Sequence, residues 1–319
     1  MNGPQTTHLV VGAGATGAAT ARVLADQGDH VRLVSRSGGG PVHASIERIA
    51  ADANDAARLS ELARGAATIT NCANPAYTEW HTAWPPLAAS LLAAAESSGA
   101  VLVTLSNLYA YAPPTRPMRA TDPLDPPNDK GEIRAAMWRD ALAAHEAGHI
   151  RATEARASDF IGPGVGKNGH LGDRVVPKVL AGKSVSVLGD PDAPHSWTAI
   201  HDVARTLVAL GADERAWGRA WHVPTAPPQS AREMIDRMAE LAGVEPVKVR
   251  SVPRIALAAA GLFSADMREI RKVAYQFEQP FVIDAAETTA EFDIEPTPLD
   301  DTLRATIDSY RKSPVSAAA

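Results

Sequence analysis

The first half of the chain alternates short apolar runs with longer stretches of helical spacing. HLVV (8–11), HVRLV (30–34), IERIA (46–50), ATIT (67–70), AVLVTLS (100–106) and HIRATEARAS (149–158) read as strands. ATGAATARVLADQG, DAARLSELARG, PPLAASLLAAAESSG (85–99) and EIRAAMWRDALAAHEAG (132–148) read as helices. This βαβα rhythm predicts an α/β protein with a doubly wound, mostly parallel sheet and helices on both faces. Nothing repeats at a solenoid period.

The proline-rich stretch YAPPTRPMRATDPLDPPNDKG (111–131) interrupts the rhythm. It is too short for a disordered linker and is expected to be an ordered loop that climbs over a site. Beyond residue 160 the pattern loosens. DFIGPGVGKNGHLGD is glycine-rich, PHSWTAIHDVARTLVAL (194–210) predicts a helix capped at Asp202, and SAREMIDRMAELAG (230–243) predicts another.

Composition adds exclusions. The 319 residues suffice for one large domain or two unequal ones. A net charge of −6, with both signs mixed along the chain, gives no basic field for nucleic acid. A single cysteine, Cys72, rules out an internal disulfide and is expected to be a small core residue. No His/Asp/Glu spacing suggests a metal. The start shows no signal-peptide pattern. The longest apolar run, IALAAAGLF (255–263), is too short to span a bilayer, so no membrane partner and a cytoplasmic location are expected.

The clearest chemistry lies in VVGAGATG (10–17), which is Gly12-x-Gly14-x-x-Gly17 between an apolar strand and a helix. In that context Gly12 makes the tight turn, Gly14 lets backbone approach a pyrophosphate, and Gly17 lets helix and strand pack closely. Ala15 and Thr16 open the helix, whose free N–H groups face the phosphates. This predicts a dinucleotide-binding Rossmann domain. The second strand ends in Ser35-Arg36, not in the acid that takes an NAD ribose, so NADP is the expected cofactor and NAD the less favoured one. Asp52, just past the third strand, either meets the adenine or caps the helix over 55–64.

The chain resembles the short-chain dehydrogenase/reductase superfamily in its extended NAD-dependent epimerase/dehydratase form. The resemblance covers almost the whole chain. It rests on VVGAGATG, TNCANP (70–75), TLSNLYAYAPP (104–114), EARASDFIGPG (154–164), HSWTAIHDVA and the closing segment 280–310. The glycine loop lacks the further glycine spacing usual in the extended enzymes. The resemblance implies that Ala73 and Asn74 pass beside the nicotinamide ribose and that the family's serine falls on Ser106 or Asn107. It also implies a smaller, discontinuous C-terminal substrate domain. Approximate bounds are 1–165 with 196–224 for the Rossmann domain, and 166–195 with 225–319 for the substrate-binding domain. A small-molecule substrate of sugar-nucleotide type is implied too, for which Lys167, Arg174 and Lys178 are the available basic residues. A homodimer is compatible with this reading.

The family's Tyr-x-x-x-Lys pair is missing. Its place is taken by Lys130-Gly131-Glu132-Ile133-Arg134, so the chain is similar to an atypical member. A carbonyl reaction still needs a proton donor. Lys130 is one candidate, against a plain surface lysine. Tyr109 and Tyr111 are others, against pocket wall or core. Arg134 is expected on the cofactor side. Trp80, His81 and Trp84, after the fourth strand, either shape a substrate pocket or simply pack the loop. The expected function is an NADP-dependent oxidoreductase or epimerase-type enzyme with a non-standard acid/base; the alternative is a catalytically inactive nucleotide-binding sensor or scaffold.

Overall fold

The structure, a computed structural model, describes residues 5–312. Its centre is a parallel sheet. The strands are β1 (Thr7–Val11), β2 (His30–Ser35), β3 (Ile46–Ala50), β4 (Thr68–Asn71), β5 (Val101–Ser106), β6 (Arg151–Arg156) and the edge strand Ala220–His222. Their order across the sheet is edge strand, β6, β5, β4, β1, β2, β3. Every residue of β4 and β5 is buried, as expected where helices cover both faces. β1 pairs with β2 on one side and β4 on the other, so the strand order reverses there. The crevice outside the carboxyl ends of such strands is where open α/β sheets take ligands.

Helix α1 (Ala15–Asp26) follows β1 directly. Its N-cap is Gly14, and no side chain caps it, so its first N–H groups stay open toward the crevice. Helix α2 (Ala56–Ala63) is capped by Asp55, which accepts from the Arg58 N–H; Asp52 is therefore not the cap. Helix α3 (Trp80–Ser98) begins at Trp80 rather than Pro85. Tertiary burial explains the longer start: Trp80 and Trp84 are fully enclosed, and the Trp80 indole N–H donates to the Pro75 carbonyl at 3.0 Å.

Helix α4 (Asp129–Glu146) carries Lys130-Gly131-Glu132-Ile133-Arg134 in its first turns. Asn128 caps it, accepting from the N–H groups of Lys130 and Gly131, both at 3.1 Å. Gly131 is required by packing. A Cβ there would fall 2.2 Å from the Tyr109 carbonyl oxygen. The helix start thus lies against the segment that follows β5.

The loop 111–131 is ordered along the sheet edge, where Tyr111 bridges Leu124 and Met118 bridges Ile283. It lines a depression beside Gly218 and Ala220, not the crevice above the glycine loop. The helix expected over 194–210 starts only at Ile200, as α6 (Ile200–Ala212); short strands at Pro194–His195 and Trp197–Ala199 precede it. Asp202 is not its cap. Buried in the first turn, it pairs with Arg205 and accepts from the Thr297 N–H at 2.8 Å, which anchors the closing segment.

The later pieces form a second apolar cluster, in which Val176, Met234 and Leu303 are fully buried. It joins α5 (Val176–Leu180), α7 (Ala231–Ala242) and α11 (Leu299–Lys312). Between α7 and α11 lie α8 (Arg254–Phe263), α9 (Ala265–Val273) and α10 (Ala286–Phe292). Helix α9 packs on the turn Tyr77–Glu79 at the mouth of the crevice. Among the described residues no helix is long and apolar enough to cross a membrane.

Candidate active site

A groove of about 730 Å3 runs over the carboxyl ends of β1, β2 and β4. Gly12, Gly14, Ala15 and Thr16 form its floor. The three glycines differ in what a side chain would meet. A Cβ on Gly12 would lie 2.7 Å from Cys72 and Ala73 backbone, and one on Gly17 would lie 1.8 Å from the Gly12 carbonyl. A Cβ on Gly14 would meet nothing within 4 Å. Gly12 and Gly17 are thus demanded by the fold, whereas Gly14 faces open space. That, with the uncapped start of α1, suits a pyrophosphate. Gly17 itself does not line the groove.

Ser35 and Arg36 line one end of the groove together with Asp52, and Arg36 is exposed there. Asp52 accepts from the Asn54 N–H at 3.0 Å. Ala73 and Asn74 line the other end, with Lys167 and Asn168 from the glycine-rich loop over it. Arg174 and Lys178 do not line it. Cys72 is buried beneath, and burial pushes its thiol up to about 12, so it stays protonated near neutral pH.

A smaller inner cavity, about 120 Å3, continues from this end and shares Ala73, Asn74 and Asn168 with the groove. Ser106, Asn107, Tyr109, Arg134 and Trp80 line it, and so do Tyr77, Asp159 and Gln276. Tyr109 and Tyr77 join hydroxyl to hydroxyl at 2.6 Å. Arg134 is buried and stacks on Trp84, its guanidinium carbon 4.0 Å from a ring centroid. Its Nε and Nη1 have no hydrogen-bond partner. Burial lowers its pKa to about 10, against the charge of Glu154, so the group remains a cation near neutral pH. A buried guanidinium with unpartnered donors at the cavity wall is chemically suited to a ligand's hydroxyl or anionic oxygen.

The other expected residues lie elsewhere. Lys130 lies within α4 and is fully buried, but it lines neither groove nor cavity. Its ammonium lies 2.7 Å from the Glu269 carboxylate of α9 and donates to the Tyr77 carbonyl at 2.8 Å. Tyr111 is also buried away from the cavity, because its hydroxyl is taken up by Arg156 at 2.6 Å and His222 at 3.0 Å. Trp84 is core. His81 is exposed and pairs with Asp129 at 2.9 Å. Of the three residues considered for a substrate pocket, only Trp80 reaches the cavity.

The sequence pattern does not single out Tyr77 or Glu269. Tyr77 stands in YTEWHTAW, but nothing local marks its hydroxyl as cavity-facing. Glu269 meets Lys130 only through the fold, and no short-range spacing could have revealed it.

Residues 8–223 match the NAD dependent epimerase/dehydratase family. No curated protein sequence matches the chain. Solved structures share its fold at low identity. dTDP-glucose 4,6-dehydratase from Bacillus anthracis, in complex with NAD, is 17% identical with a TM-score of 0.78 over 97% of each chain. UDP-glucuronic acid 4-epimerase from Bacillus cereus, in complex with NAD, is 17% identical with a TM-score of 0.79, over 96% of this chain and 99% of that one. UDP-glucose 4-epimerase from Thermotoga maritima, with UDP-glucose, is 17% identical with a TM-score of 0.76, over 97% and 99%. With a glycine loop on the first strand, the strand order reversed beside it and more than half its length matched, the chain belongs to the NAD dependent epimerase/dehydratase family.

Proposed function

We propose that the chain is an NADP-dependent oxidoreductase or epimerase-type enzyme that acts on a small organic or sugar-nucleotide-like substrate without the family's Tyr-x-x-x-Lys pair. The observation that carries this reading is the continuity of groove and inner cavity. A dinucleotide laid along Gly12–Thr16 would reach Ser35 and Arg36 at one end and Ala73 and Asn74 at the other, where the polar cavity begins. A groove of about 730 Å3 is within the usual range for ligand sites.

The bound dinucleotide would supply a nicotinamide that gives or takes hydride. The chain's own residues do the rest. Open N–H groups of α1 hold the pyrophosphate, and Arg36 holds a 2′-phosphate through charge-assisted bonds. Arg134 presents its unpartnered donors to the ribose or substrate side of the cavity. Burial of the cavity wall excludes water and strengthens each of these interactions.

Calorimetry with NADP(H) and NAD(H), followed by a screen of carbonyl substrates for NADPH consumption, tests the proposal. Binding of NADP(H) with turnover of one class of substrate is the expected result. Binding without turnover across the screen would favour a sensor or scaffold, and absence of dinucleotide binding would overturn both.

A further inference from the structure

The inner cavity has no tyrosine on α4, because Lys130 occupies that place and faces Glu269. Two phenols from other elements meet there instead. Tyr109 comes from the segment after β5. Its N–H donates to Asn107 Oδ1 at 3.1 Å, its carbonyl lies under Gly131, and its ring centroid is 6.2 Å from that of Trp80. Tyr77 comes from the turn after β4. Its carbonyl is held by the Lys130 ammonium, which also sits 4.8 Å from its ring centroid. The backbone of each phenol is therefore fixed by a neighbouring element, and the two hydroxyls share a 2.6 Å contact in the cavity wall.

We propose that the Tyr109–Tyr77 hydroxyl pair is the proton donor of this site and that the reaction it serves is reduction of a small carbonyl group. This rests on the dinucleotide-enzyme reading above and narrows its substrate class. As the carbonyl carbon receives hydride from a reduced nicotinamide dinucleotide, the C=O π pair moves to oxygen. The oxygen takes the Tyr109 proton. The products are an alcohol and the oxidised dinucleotide. The Tyr109 oxyanion recovers a proton from Tyr77, and Tyr77 recovers one from water.

The surroundings favour donation over abstraction. Burial pushes Tyr109 well above the ordinary phenol range and Tyr77 up to about 12. The Lys130 charge meets the Tyr77 ring and carbonyl, not a hydroxyl. Near neutral pH both phenols keep their protons, which suits an acid and not the base that would remove a proton from carbon. The cavity of about 120 Å3 also limits the reacting end. It matches roughly four water molecules at about 30 Å3 each, so the bulk of a larger substrate must lie outside it.

The test uses 4-nitrophenol, whose phenolate mimics the developing alkoxide and is read by its visible absorbance. It is titrated into the full chain with saturating NADP+, as wild type, Tyr109→Phe and Tyr77→Phe, each verified by circular dichroism. Wild type is expected to bind the phenolate form. Tyr109→Phe is expected to weaken it at least about tenfold, as for a lost hydrogen bond to a charged acceptor, and Tyr77→Phe is expected to weaken it less. In a screen of small aldehydes and ketones, Tyr109→Phe should cut kcat by roughly 10²–10⁴ with the dinucleotide Kd unchanged. Should Tyr109→Phe not fold, weakened phenolate binding in Tyr77→Phe supports the pair and unchanged binding overturns it. Equal phenolate affinity in wild type and Tyr109→Phe, or no phenolate binding by wild type, overturns the proposal. If NADP(H) still binds in those cases, the underlying cofactor reading survives; if it does not, that reading fails first.

Discussion

The Lys130 ammonium, fully buried at the start of α4, lies 2.7 Å from the Glu269 carboxylate on α9. One step away, the Lys272 ammonium lies 2.6 Å from Asp129, and the Asn128 side-chain amide donates to the Lys272 carbonyl at 2.9 Å. Three consecutive residues of α4 and its cap thus hold α9 over the mouth of the crevice. Burial works to raise the Glu269 carboxyl, but the ammonium groups of Lys130 and Lys272 outweigh it and keep its pKa below the ordinary value.

Lys130→Met should therefore act mainly on stability. Removing one partner of a buried pair leaves the other unbalanced, though Glu269 keeps Lys272 at 3.1 Å. The expected loss is roughly 3 kcal/mol, at the low end for such a break. Dinucleotide affinity should stay unchanged. Denaturant unfolding and calorimetry check both parts. A stable variant that loses turnover while still binding 4-nitrophenolate as tightly, and so with the Tyr109–Tyr77 pair intact, would instead restore Lys130 as the acid.

Arg36 sets the second expectation. It lines the groove just past β2, whose own end carries Ser35-Arg36 and no acid. NADP(H) should bind at least about 1.4 kcal/mol more tightly than NAD(H), a tenfold ratio. Arg36→Ala should erase most of that difference. Equal or tighter NAD(H) binding by the unmutated chain, measured by calorimetry, would sink the assignment.

The glycine loop separates a ligand effect from a folding effect. Gly14→Val places its side chain in open space, so the fold should persist while dinucleotide binding is lost. Gly17→Ala drives a methyl into the Gly12 carbonyl, so it should destabilise the chain by roughly 1–3 kcal/mol or more, the usual range for overpacking. Thermal melts with and without NADP+ distinguish the two. A Gly14→Val chain that is still stabilised by NADP+ would contradict the placement of the pyrophosphate.

Half-buried His170 and fully buried His222 predict an acid-side loss of stability. Burial lowers His170, stacked 4.0 Å from Phe277, and His222, held between Tyr111 and the Asp284 carbonyl, to about 4 each from an ordinary 6.5. Between those values the unfolded chain binds protons that the folded chain refuses. Stability should be full above about pH 6.5 and fall as pH drops toward 4, by roughly 3 kcal/mol per histidine at most. Urea unfolding between pH 7.5 and 4.5 measures the slope. His170→Phe, which keeps the stack and removes the proton site, should flatten it in part, with His222 and His8, also lowered by burial, carrying the rest.

Much of this protein was legible along the chain. The apolar runs placed β1 to β6 within a residue or two, apart from longer predicted flanks on β6. The glycine spacing between strand and helix placed the groove, because strand, tight turn and helix start are all local and a parallel sheet needs apolar runs on both faces. Cys72 as a small core residue was legible for the same reason. What the tertiary structure alone decided is where the side chains of 109, 77, 130 and 134 end up. Lys130 and Tyr111 carry the right chemistry by sequence, yet one is bound by Glu269 and the other by Arg156 and His222, all brought from distant segments. Trp84, His81 and Asp202 were likewise redirected by burial or by remote partners. Local sequence sets backbone conformation through short-range sterics and periodicity. Which polar group remains unpartnered at a cavity wall depends on whether the fold brings a counter-charge to it, and that is a property of contacts far apart in the chain.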